Sequence, residues 1–150
     1  MPEDQDEQLY NLRPDFSEAQ DFSPFPDTTL RCKLTALEGK RSKPSPGKDQ
    51  IALVKWTWDI LQDYEYTDGS GEKHNVKGRK LFRNTPAEGP GAGFLQQLCG
   101  WHGYDYKKFR LPDSRMELLG REVLITTELD HSMSPPINKP KSGRPAPKTV

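Results

Sequence analysis

Residues 51–66 read IALVKWTWDILQDYEY, and the first ten of them decide the fold class. Val54, Trp56, Trp58 and Ile60 fall on alternate positions, with Lys55, Thr57 and Asp59 between them. Successive side chains of a strand leave on opposite faces, so this period of two predicts a long half-buried β-strand over 51–66. The two tryptophans share the apolar face and read as core.

The same period recurs upstream, where Leu30, Cys32, Leu34 and Ala36 alternate with Arg31, Lys33 and Thr35. Between the two strands, GKRSKPSPGKDQ at 39–50 carries the Gly, Pro and Ser of a loop. Downstream, TDGSGEKH at 67–74 predicts a hairpin turn, with a return strand over 75–84. TPAEGPGAG at 85–93 is loop again. Phe94, Leu95, Leu98 and Cys99 then form a helical stripe, with Gly100 placed to stop it. GREVLITTELDH at 120–131 closes the domain as a strand, with a short strand or turn before it near 116–119. This order predicts an all-β fold: an OB-like small antiparallel barrel with one short helix between the third and fourth strands and disordered termini. A sandwich normally needs more strands.

The chain has 150 residues, 32% hydrophobic and 29% charged, with a mean hydropathy of −0.91. Such polarity places part of the length outside the core. The expected organisation is an acidic, largely flexible segment at 1–21, a barrel domain at 22–131, and a disordered Pro/Lys-rich tail at 132–150. The net charge of zero conceals a gradient. Glu3, Asp4, Asp6, Glu7, Asp15, Glu18, Asp21 and Asp27 face only Arg13 at the front, and the tail carries Lys139, Lys141, Arg144 and Lys148 without an acid. No apolar run reaches the roughly 20 residues that cross a bilayer, and the acidic start lacks the pattern of a signal peptide. The expected location is the cytoplasm, that of a host if the chain is phage-encoded.

Catalytic signatures are missing from the sequence. There is no G-x-S-x-G, and neither Gly69–Gly71 nor Gly89–Gly93 opens into G-K-[ST]. Cys32 and Cys99 form no CxxC; with His74 and His102 they offer a zinc set that no second close-spaced pair supports. Asp59, Asp63 and Glu65 read as a solvated strand face. The expectation is a binding protein, not an enzyme, with no catalytic residues, metal or cofactor.

Three basic groups are candidates for binding. Lys40, Arg41, Lys43 and Lys48 lie in the first loop. Lys77, Arg79 and Arg83 share one face of the return strand if it stays regular, with Leu81 among them. The connector WHGYDYKKFR at 101–110 interleaves Trp101, Tyr104, Tyr106 and Phe109 with Lys107, Lys108 and Arg110. Lys55, and Tyr64 and Tyr66 near the hairpin tip, join the set. Cations that track a phosphate backbone, beside aromatic faces on which bases stack, are what a single-strand groove needs. The candidate nucleic-acid contacts are therefore Lys40, Arg41, Lys43, Lys48, Lys55, Tyr64, Tyr66, Lys77, Arg79, Arg83, Trp101, Tyr104, Lys107 and Lys108.

Five segments, FSPFPDTTLRCKL, SKPSPGKDQIALVKWTWDI, GRKLFRN, FLQQLCGWHG and ELLGREVLI, resemble in order a loose pattern of small phage-encoded proteins, some of them OB-fold single-stranded-DNA-binding proteins. The resemblance covers about 22–130 and rests on fold-building residues. It implies single-stranded-DNA binding and protection in phage replication or recombination, with replication or recombination proteins met through the termini. One departure stands out: that family typically ends in an acidic tail, whereas here the acids are at the front. Two alternatives remain open, a protein-interaction module on the same barrel and a structural virion component. An oligomer is compatible with any of the three.

Overall fold

The computed structural model describes residues 23–132 and 134–147; the expectations for 1–21 and for the last three residues lie outside them. Strands β1 (Thr29–Arg41), β2 (Ala52–Ile60), β3 (Glu65–Thr67), β4 (Lys73–Asn75) and β5 (Lys80–Pro86) come first. Helix α1 (Ala92–Trp101), a 3-10 turn (Tyr106–Lys108) and helix α2 (Asp113–Leu118) follow, then β6 (Glu122–Asp130) and β7 (Ile137–Pro145). Five strands make one antiparallel sheet in the order β5-β2-β1-β6-β7, while β3 and β4 form a separate ribbon.

The fold is mostly β with one antiparallel five-stranded sheet and few helices, but the sheet is not closed into the expected barrel. Its edge strands β5 and β7 come within 8 Å of one another, yet no ladder joins them. The C-terminal end of α1 fills that seam. The Trp101 ring lies 2.7 Å from where a Cβ on Gly143 of β7 would stand, and the Arg83 guanidinium of β5 sits 5.5 Å from the same ring. Only glycine permits this approach. The helix expectation is corrected too: α1 and α2 both lie between β5 and β6, because the β3–β4 ribbon intervenes earlier.

The tail is a second correction, since residues 137–145 form strand β7 rather than a disordered segment. An edge strand needs only one ladder, so its prolines cost little where their missing N–H would face away from the sheet. The register shifts between Thr126 and Thr127, which pair with Ser142 and Pro140 and leave Lys141 as the extra residue. A similar shift at Thr35 in β1 turns the apolar face from Leu34 to Leu37, which is buried, rather than to Ala36. Bulges of this kind add local bend and twist.

The long strand expected over 51–66 ends at Ile60, and the return strand begins only at Lys80. Gly78, at φ +86°, makes the turn, and its N–H donates to the Ile60 carbonyl at 2.8 Å. Val54, Trp56, Trp58 and Ile60 are buried as the alternation predicts. Helix α1 passes through Gly100 and ends beyond it, where Gly103 takes φ +65°.

Candidate nucleic-acid interface

An aromatic stack fixes the chain that follows α1. Trp56 and Trp58 lie nearly parallel, 6.2 Å apart, and the His102 ring stacks on both at 5.3 and 6.1 Å. Trp58 Nε1 donates to His102 Nε2 at 3.1 Å. An indole N–H can only donate, so Nε2 is the bare nitrogen. The proton sits on Nδ1, which donates to the Leu98 carbonyl at 2.7 Å. Burial, aided by the Arg121 cation, pushes the imidazole down to about 4 against the Leu98 hydrogen bond. His102 is therefore neutral, with both nitrogens engaged. Phe109 stacks on Trp56 at 6.1 Å, which anchors the connector to the core.

This arrangement removes the zinc set. Cys32 and Cys99 are buried, and burial first, with nearby Asp59 and Asp105, pushes their thiols up to about 12 and about 11. His74 lies instead on the β3–β4 ribbon, 2.7 Å from Asp68. The donor atoms of Asp68, Glu72 and His74 lie within 4.8 Å of one another. Asp68 Oδ1 accepts from Ser70 N, Ser70 Oγ and Glu72 N, so the turn itself accounts for its position. These hydrogen bonds, led by those from Ser70 and His74, hold the Asp68 carboxyl below the usual range.

Two of the three basic groups meet at one end of the sheet. Lys40 and Arg41 belong to the end of β1, not to the loop. The loop beyond is ordered: Ser42 exchanges hydrogen bonds with Ile51, and Pro46–Gly47 turns the chain with Gly47 at φ +75°. Lys48 N–H donates to the Ser45 carbonyl at 3.1 Å, and Lys43 and Lys48 are exposed. Facing the base of this hairpin, Asp105 caps the 3-10 turn by accepting from Lys107 N, and Lys107 and Lys108 are exposed on it. Between hairpin and connector lies a pocket of about 400 Å³. Leu53, Val54, Leu95, Phe109 and Leu111 give it apolar walls, and Lys40, Tyr106 and Arg110 also line it. Among the described residues, Lys40, Arg41, Lys43, Lys48, Lys107, Lys108 and Arg110 have no carboxylate within ion-pair distance.

The third group does not form a row. Lys77 precedes β5 and stands 3.8 Å from Asp63. Arg79 donates to the Ser23 carbonyl at 2.8 Å and to the Tyr66 hydroxyl at 3.2 Å, with its guanidinium over Phe25. Arg83 shares its strand face with buried Leu81 and Thr85, and its cation lies over Phe94 and Trp101; burial lowers its pKa. Leu81 therefore marks the covered face of the strand.

Several aromatic candidates are also corrected. Tyr66 is buried, bonded to Ser23 and stacked on His74 at 5.0 Å. Tyr64 is half-buried, edge-on to Phe25. Trp101 is buried in the seam. Half-buried Tyr104 bonds Ser114 at 2.9 Å, with Arg121 over its ring. Lys55 is separate from the pocket, its amine 4.9 Å from the centre of the Phe82 ring. The exposed aromatic beside the cations is Tyr106, 44% accessible. It belongs to the interleaved connector, as do Arg110 and Phe109; the leucines of the pocket carry no signal of their own in the sequence.

Known proteins offer no guide, since no family model, curated protein or solved structure matches the chain. No helix among the described residues is long and apolar enough to cross a membrane.

Proposed function

We propose that the protein binds single-stranded DNA at the end of the sheet where the β1–β2 hairpin meets the connector. One observation carries the reading. Two segments far apart in sequence place Lys40 and Arg110 on an apolar pocket rimmed by an exposed tyrosine, and the seven cations of these segments have no carboxylate within ion-pair distance among the described residues. A cation without a carboxylate partner is free to replace the counterions of a phosphate, and their release drives association. Tyr106 supplies a face on which a base can stack. The role is stoichiometric and non-catalytic: the strand is held open and covered. A phage setting, in replication or recombination, rests on the motifs that resemble those small phage proteins.

The test is fluorescence anisotropy of a labelled oligo-dT across a salt series, with RNA and duplex as parallel arms. Each neutralised phosphate adds about −0.7 to the log–log slope for a single strand, so several contacts give a steep fall. All three tryptophans are buried, so intrinsic quenching should come from tyrosine. Absence of binding at low salt rejects the reading, and tighter binding to RNA or duplex reassigns the ligand.

A further inference from the structure

We propose that the pocket between the β1–β2 hairpin and the connector receives one nucleobase, unstacked from the strand, while Lys40 and Arg110 hold the adjoining phosphate. The inference rests on the strand-binding reading and adds to it a defined subsite. A volume of about 400 Å³ lies at the small end of the range for ligand pockets, which gives room for one base together with its sugar. The walls are mostly apolar, from Leu53, Val54, Leu95, Phe109 and Leu111, so the attraction is chiefly burial and ring contact.

Placement supports the same ligand. Lys40 and Arg110 line the pocket, and neither has an acidic partner among the described residues. An apolar ligand bearing a negative charge on one edge is complementary to that pairing, and a nucleotide has this form. Lys43 and Lys48 on one flanking segment, and Lys107 and Lys108 on the other, are exposed. Phe109, stacked on Trp56, gives the pocket a wall fixed to the core. A ring inserted there meets a preformed surface and loses little to reorganisation.

The experiment uses the full chain with deoxythymidine monophosphate, deoxyribose 5-phosphate, an acetylated Asp-Phe-Asp peptide and oligo-dT. Methyl resonances of Leu53, Leu95 and Leu111 report the pocket. The mononucleotide is expected to shift all three and to bind about tenfold more tightly than the sugar phosphate. Ala87, an exposed lining residue, gives a pocket-filling variant that leaves the core untouched. Ala87→Trp is expected to weaken mononucleotide binding by about tenfold and to leave the salt slope for oligo-dT unchanged. Equal effects of mononucleotide and sugar phosphate, or wild-type mononucleotide affinity in Ala87→Trp, overturn the base pocket. Tighter binding of the peptide overturns it in favour of a peptide side chain. If oligo-dT binds with steep salt dependence while the mononucleotide leaves the methyls unmoved, the pocket falls and strand binding stands. If the mononucleotide binds and oligo-dT does not, strand binding falls and a mononucleotide site remains.

Discussion

At the ribbon end of β2, Tyr66, Arg79 and Ser23 hold one another, His74 pairs with Asp68, and Lys80 meets Asp59 at 2.6 Å. At the other end, Tyr106 is exposed, and Lys40, Arg41, Lys43, Lys48, Lys107, Lys108 and Arg110 have no carboxylate within ion-pair distance among the described residues. Both ends carry tyrosine, lysine and arginine, and most of these groups are satisfied at the ribbon end. Exposed Lys73 is an exception there, without a carboxylate within ion-pair distance among the described residues. A cation already bonded to a carbonyl or carboxylate must give up that partner to receive a phosphate. One that meets only solvent gains from the exchange. Composition marks both ends as aromatic and basic; satisfaction of the groups separates structural glue from a surface that can bind.

The largest expected effect reverses charge at the open end. Lys43, Lys48, Lys107 and Lys108 together changed to Glu should lower oligo-dT affinity by about a thousandfold at low salt. The melting temperature should scarcely move, because these side chains are exposed. An affinity within a few-fold of wild type by anisotropy would dissolve the distinction between the two ends.

The next effect reaches the open end from beneath. In the folded protein His102 stays neutral down to about pH 4, against 6.5 for the ordinary imidazole. Between those values the unfolded chain binds a proton that the native state does not, so stability falls as pH drops through this window. The loss is roughly 3 kcal/mol once pH reaches the lower value. Urea unfolding at pH 7 and at pH 4.5 should show most of it. An unchanged midpoint would mean that the histidine titrates normally and does not hold the stack under Phe109.

The strands were legible from sequence where one rule acted alone. Alternation in β2 identified Trp56 and Trp58 as core because the strand is regular and pairs on both sides. Alternation in β1 missed the turn from Leu34 to Leu37, since a single extra residue inverts the face and leaves no mark in composition. Strand β7 was hidden for a related reason. Its prolines and lysines argue against a packed segment, yet an edge needs only Pro140 buried and Gly143 against Trp101. The site was half legible: loop and connector were each visible as basic, and their meeting depended on the His102–Trp56–Phe109 stack. The row Lys77–Arg79–Arg83 failed because Gly78 breaks the strand on which it was built.

Smaller effects test the closed end. Arg79→Met removes the donors to the Ser23 carbonyl and the Tyr66 hydroxyl while retaining much of the contact with Phe25. Charged-group hydrogen bonds contribute about 1.5–3 kcal/mol, so a loss near the lower figure is expected in chemical denaturation, with oligo-dT affinity unchanged. Smaller still is Lys77→Glu. Its pairing with Asp63 is exposed on both sides, with side chains 58% and 73% accessible, and such pairs contribute at most about 1 kcal/mol. Yet this residue discriminates well, because it is as exposed as the lysines at the open end and differs mainly in having a carboxylate beside it. If Lys77→Glu weakens oligo-dT binding as much as Lys43→Glu alone, local pairing does not govern where the strand lies. The strand must then extend over the ribbon as well. If only Lys43→Glu weakens it, the carboxylate beside Lys77 is enough to keep that cation out of the interface.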